Sequence, residues 1–200
     1  MSTAAAPVRS GAVLADLLPS ASTATRAFAR DAALVLGGAA LTGIAAQIAV
    51  PVPGSPVPVT GQTFAALLVG TAVGARRGFL SLALYAVIGM AGMPWFAGGT
   101  SGAGGASFGY ILGMLLAATV VGALARRGGD RSVLRTAGTM VLGSAVIYAV
   151  GVPYLALSTG MSLSAAVAAG LVPFLIGDAL KAALAMGALP AAWKLVGDRG

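Results

Sequence analysis

Six apolar segments run along the chain, at about 33–50, 63–75, 78–93, 110–125, 137–157 and 163–193, with polar or Gly- and Pro-rich breaks between them. The pattern predicts helices. The short alternating strands of a transmembrane barrel are absent. Several segments fall short of the ~20 residues that cross a bilayer perpendicularly. Either their ends extend into the flanking loops, or they sit inside the bundle with protein around them. In the sixth, Pro173 frees a backbone carbonyl in the preceding turn. The chain therefore divides into a tail over 1–32, a six-helix domain over 33–193 and a short second tail over 194–200. The first tail reads as mobile, with room for a short interfacial helix. Its longest apolar run, Ala12 to Leu18, is broken by Asp16 and ended by Pro19, a poor signal-peptide core.

Composition turns helices into membrane helices. Hydrophobic residues make up 58% of the chain and charged residues only 8%, with a mean hydropathy of +0.95. A soluble domain carries roughly a quarter charged residues, so the expected class is an all-α polytopic membrane protein. Twelve Lys and Arg stand against five Asp, with no Glu, His or Cys. Thiolate chemistry, disulfides, the usual zinc sites and histidine acid–base catalysis are thereby excluded.

The positions of the charges fix a topology. Arg26, Arg30, Arg76, Arg77, Arg126, Arg127, Arg131, Arg135, Lys194 and Arg199 lie in the tails, the second loop and the fourth loop. With six spans these fall on one side, and the other three loops carry no charge. The positive-inside rule then puts both termini in the cytoplasm. The net charge of +7 reports orientation and implies no nucleic-acid partner.

One acid and one base escape this pattern. Asp178 and Lys181 lie in the sixth segment, in "LVPFLIGDALKAALAMGALP". A three-residue separation places them on one helix face, and Phe174 extends the stripe by a turn. The plain reading is a self-neutralising pair that glues the bundle. Buried pairs, however, often fail to recover their desolvation cost, and intramembrane charges are functional by default. The stripe therefore predicts a polar ligand site.

The uncharged loops have matching character. "PVPGSPVPVTGQT" should be stiff and partly polyproline II. "WFAGGTSGAGGASFG" exposes glycine amides, Gly98 and Gly99 among them, able to meet an anion or carbonyl; it also suits a flexible lid, and it lacks the lysine of a Walker loop. Gln47, Thr60, Gln62 and Thr63 flank the proline loop as neutral hydrogen-bonding groups. Tyr85 and Tyr110 add hydroxyls, and Trp95 is either an interfacial anchor or a pocket wall. In the first segment the small residues Ala39, Ala40 and Gly43 suit close helix approach, within the bundle or to a partner subunit.

The stretch "AAQIAVPVPGSPVPVTGQTFAALLVGTAVGARRGFLSLALYAVIGMAGMPWFAGG" resembles the beginning of BioY proteins, the biotin-binding S components of energy-coupling factor transporters. The "DALK" of residues 178–181 is similar to their last-helix aspartate and lysine, and the likeness spans about 33–193. The glycine loop before Tyr110 departs from it by being short. The resemblance implies a six-helix capture subunit with no enzymatic activity and no cofactor, whose ligand is biotin. Its partners would be a transmembrane coupling protein, docked on the small face at Ala39, Ala40 and Gly43, and two cytoplasmic ATPases. Asp178 would accept from the ureido N–H groups and Lys181 would donate to the ureido oxygen, with Phe174, Tyr85 and Trp95 around the rings. The outer loops offer the carboxylate only neutral donors, so a ring-deep, carboxylate-out pose is preferred over the inverted one. Outside the family, the main alternative is an ion-coupled secondary transporter with Asp178 as coupling site. Lys181 holding Asp178 ionised argues against it, and no inverted repeat is evident. A serine–lysine intramembrane hydrolase would need a serine near Lys181, and Ser158 to Ser164 lie several turns away.

Overall fold

The computed structural model describes residues 11–19 and 21–197. The first helix, α1 (Ala24–Ala46), starts where the Thr23 hydroxyl accepts from Arg26 N–H, an N-cap that satisfies an otherwise orphan amide. It thus begins about nine residues before the expected segment, inside what read as tail. The proline loop then folds into a two-residue antiparallel ribbon, β1 (Ala49–Val50) on β2 (Val59–Thr60), with Ala49 opposite Thr60.

Next come α2 (Gln62–Val73) and α3 (Ala75–Met90), joined through Gly74 alone. Gly74 sits at φ +87°, a conformation that L side chains resist, and it turns the chain back on itself. A Cβ on Gly78 would fall 2.9 Å from the Gly70 Cα, and one on Gly70 would fall 2.4 Å from the Ala118 carbonyl oxygen. Glycine is therefore required where these backbones meet, as lipid-embedded helices require small residues at contacts. Only 12 residues long, α2 is too short to cross a bilayer perpendicularly. Eight of its residues are buried, so protein surrounds it, the second of the two solutions open to a short segment.

α4 (Phe108–Arg126) runs through the middle of the bundle, against α2, α3 and α5 (Val133–Thr159). The sixth segment is not continuous. α6 (Leu163–Gly170) ends, one 3₁₀ turn spans Val172–Phe174, and α7 (Leu175–Gly197) follows. Pro173, lacking an N–H, sits in the break. Among the described residues, four helical stretches are long and apolar enough to cross a membrane: α1, α4, α5 and the α6–α7 pair.

The basic loops converge at one end of the bundle. There a short segment ahead of α1, 11–17, is docked rather than loose. Val13 is fully buried. Asp16 accepts from Arg77 at 2.9 Å and Arg126 at 3.4 Å, Arg126 also donates to the Gly11 carbonyl, and Arg131 donates to that of Ala12. The expected mobile tail is therefore a strap over its described part. The far end of α7 is fixed at the same place, where Trp193 donates to buried Asp130 at 2.7 Å and the Arg131 guanidinium lies 4.2 Å from the indole ring.

Candidate functional site

The break before α7 puts Asp178 in the first turn of that helix, where the positive end of the helix dipole favours a carboxylate. Lys181, one turn on, donates to Asp178 at 3.3 Å and to the Thr63 hydroxyl of α2 at 2.7 Å. The other Asp178 oxygen accepts from the Tyr148 hydroxyl of α5. Three helices thus converge on one acid and one base. Each charged side chain is less than a fifth exposed.

This arrangement leaves capacity on both partners. An ionised carboxylate offers about four acceptor positions and an ammonium three donors. Tyr148 and Lys181 use two of the former; Thr63 and Asp178 use two of the latter. What remains is acceptors on Asp178 and one donor on Lys181, side by side. That pattern suits a neutral ligand group that both donates and accepts.

Two spaces touch Asp178, and the first touches Lys181 as well. One, between α2, α5 and α7, measures about 10 Å³ and is lined by Thr63, Ser144, Asp178 and Lys181 among others; it holds at most a water. The second is a groove of about 660 Å³ between α5 and the α6–α7 pair, walled by Met140, Val152, Leu171 and Leu175, with Tyr148 and Asp178 at its polar edge. Its size is that of a small-molecule site.

Aromatic rings connect this centre to the rest of the stripe. Tyr110 and Phe174 stack at 6.4 Å, and Tyr148 meets Tyr110 edge-on at 6.4 Å. Phe174 is buried and linked through Tyr110 and Tyr148 to Asp178. The Tyr110 hydroxyl, however, donates to the Gly170 carbonyl at 2.8 Å. It ties down the carbonyl end of α6 just before the break and has no proton free for a ligand.

The other expected residues form a second cluster around the proline and glycine loops. Tyr85 donates to the Gln62 side-chain oxygen at 2.9 Å, and the Trp95 indole donates to the Tyr85 carbonyl at 3.0 Å. Gln47 is spent on the carbonyls of Gly43, Trp95 and Phe96. Trp95 packs over Gly43, where a Cβ would stand 2.8 Å from its ring. Tyr85, Trp95 and Gln47 therefore hold the segment at 95–96 to α1 and α3 in this structure instead of facing Asp178. Thr60 is buried in β2, and Gly177, next to Asp178, faces the Val59 side chain. The proline ribbon thereby lies against α7. Gly98 and Gly99 are exposed with left-handed φ. Under both loops lies a 250 Å³ space lined by Pro56, Pro58, Phe96, Gly102, Gly105 and Phe108 with others; Gly98, Gly99, Gln47 and Gln62 do not line it.

The proposed docking face also changes. Ala39 and Gly43 are buried inside the bundle, and of the three only Ala40 is exposed. These small residues serve packing within the chain, because Trp95 needs the space at Gly43. A different small stripe on α1, Ala33, Gly37 and Ala40, is the exposed one.

Tyr148 and Ser144 are the site residues that sequence reasoning missed. The available clue was their four-residue spacing, which puts two hydroxyls on one face of a largely apolar helix.

A family model described as the BioY family matches residues 17–198. The chain belongs to the BioY family. The BioY relatives include a "probable biotin transporter BioY" from Pyrococcus horikoshii, 36% identical over 161 residues, or 79% of this chain and 93% of the relative. Another is "biotin transporter BioY2" from Lactococcus lactis subsp. cremoris, 34% identical over 76% of this chain and 83% of the relative. Among solved structures, the S-component for biotin from an ECF-type ABC transporter superposes with a TM-score of 0.76, at 21% identity, over 87% of this chain and 95% of that one. This BioY chain is thus a membrane protein with an S-component fold, and its relatives are named transporters.

Proposed function

We propose that the protein is a biotin-capture subunit for uptake across the cell membrane, loading from outside and delivering through an ATP-driven coupling module. One observation carries the reading: Asp178, with acceptors unfilled, stands at the polar edge of an apolar groove, and Lys181 stands 3.3 Å behind it with a donor to spare. A ureido group presents two N–H donors and one carbonyl, and the thioether ring system behind it is apolar. The names of the relatives supply biotin as the molecule that combines the two. The valerate carboxylate then points toward the neutral outer loops.

In this reading all six segments cross the membrane, the uncharged loops face outward and both termini lie in the cytoplasm. The coupling protein docks on the exposed stripe Ala33, Gly37 and Ala40 of α1, and two ATPases sit beneath. Opening of the outer cluster around Gln47, Tyr85 and Trp95 admits the ligand.

Uptake of labelled biotin tests this in a host lacking its own biotin transport, with and without a co-expressed coupling protein and ATPase pair. Accumulation that rises with the module and fails when its ATPases are inactivated is the expected result. Accumulation that instead collapses with a proton uncoupler, module or not, would favour the ion-coupled alternative.

A further inference from the structure

A second groove lies far from the ligand site, between α1 and α3. It measures about 600 Å³ and is lined along most of its length by Phe28, Val35, Leu80, Leu84 and Val87. Phe28 is 77% exposed and Val87 56%, so the groove opens to the lipid side of the bundle. Its polar end lies at the basic end of the molecule, where Asp31, Arg76 and Arg77 complete the lining.

These three charges are not equivalent. Arg77 is committed, bonding to Asp16 and Asp31 at 2.9 Å each, and it neutralises the one acid of the lining. Arg76 is exposed and makes no hydrogen bond or ion pair among the described residues. The groove thus presents a long apolar channel that ends at a single uncommitted cation.

We propose that this groove binds an anionic phospholipid, one acyl chain lying along Val35, Leu80, Leu84 and Val87 and the phosphate meeting Arg76. Basic pockets between membrane helices on the positively charged side are suited to acidic headgroups, and guanidinium matches phosphate geometry. A partner helix is the competing occupant. The exposed small residues that would accept one, Ala33, Gly37 and Ala40, lie on the opposite face of α1 from Ala27, Asp31 and Val35 at 100° per residue. The groove's own walls are bulky, which suits a flexible chain better than a close-packed helix. The site goes beyond the transport reading and stands apart from Asp178.

Native mass spectrometry of the full chain in detergent tests it, with palmitoyl-oleoyl phosphatidylglycerol and the matching phosphatidylcholine as probes. The expected result is one tightly retained phosphatidylglycerol, preferred by about fivefold, the factor one basic residue near an anionic surface supplies. Arg76→Gln should bring the two lipids to parity, while Arg127→Gln, an exposed arginine at the same end outside the groove, should leave the preference intact. Leu84→Trp should weaken retention of both lipids by filling the channel. Glycerol phosphate, which has no chain, should not compete. Biotin binding should be unchanged in Arg76→Gln, so the transport reading can fail or hold independently. Parity of the two lipids in the wild type would overturn the proposal, as would equal losses in both arginine variants. Displacement of the lipid by added coupling protein would reassign the groove to protein docking.

Discussion

At the scale of residues, four side chains share two charges. Tyr148 donates to Asp178, Lys181 donates to both Asp178 and Thr63, and the proposed ligand takes what is left. Tyr148→Phe removes one donor to a charged acceptor, an interaction of about 1.5–3 kcal/mol. Biotin affinity should fall roughly tenfold or more, because the carboxylate loses the contact that aims it. Tyr85→Phe, whose hydroxyl serves Gln62, should change affinity far less. Calorimetric titration of the two variants side by side decides whether Tyr148 belongs to the site. Asp178 and Lys181 were legible in the sequence because charges in an apolar run are outliers. Tyr148 was not, since a tyrosine among apolar residues is ordinary until its partner across the bundle is known. Gln47, Tyr110 and Trp95 carry polar atoms bonded to backbone carbonyls, contacts that a sequence does not reveal.

At the scale of elements, backbone contacts between helices do most of the positioning. Gly70→Ala would drive a Cβ to 2.4 Å from the Ala118 oxygen, and overpacking of this kind costs about 1–3 kcal/mol. Gly37, helical with nothing within 4 Å of a built Cβ, should instead gain up to about 1 kcal/mol on replacement by alanine. Thermal unfolding in one detergent should therefore move in opposite directions for the two variants. The strap and the α4–α5 loop give a second pair of opposites, in pH. Burial opposes ionisation of Asp16, but Arg77, the Val13 N–H and Arg126 outweigh it and hold the carboxyl below 3.8. Its contribution is complete above that unfolded-state value and is lost as pH falls through the lowered one. At Asp130 burial dominates the indole hydrogen bond and raises the carboxyl. The folded form then binds its proton more readily, so this group's term weakens folding as pH rises through the interval above 3.8. At neutral pH Asp16→Asn should lower the unfolding temperature and Asp130→Asn should hold or raise it. The same shift in both variants would contradict the assignment. Six apolar segments were readable from their period and length, and so was Pro173 as an irregularity. The strap was not, because 11–17 has neither the length nor the repeat to announce an element and is held by arginines from two distant loops.

At the scale of the whole molecule, the chain sorts its charge to one end and its ligand chemistry toward the other. The strap, the α2–α3 turn, the α4–α5 loop and the end of α7 meet through Asp16, Arg77, Arg126, Arg131 and Trp193. That end should face the cytoplasm. The chain contains no cysteine, so single introduced thiols report topology without background. Ser55→Cys and Ser101→Cys should react with a membrane-impermeant maleimide in intact cells, and Arg127→Cys only after permeabilisation. The reverse pattern would invert the molecule and place the proline and glycine loops inside.

The most direct test of the central claim is a calorimetric titration of the purified protein with biotin, wild type beside Asp178→Asn. Loss of a buried hydrogen bond to a charged acceptor is worth about 1.5–3 kcal/mol. Saturable one-to-one binding by the wild type, weakened at least tenfold in the variant, is the predicted outcome. Binding of equal strength in both proteins would separate biotin from the Asp178–Lys181 pair and contradict the site described here.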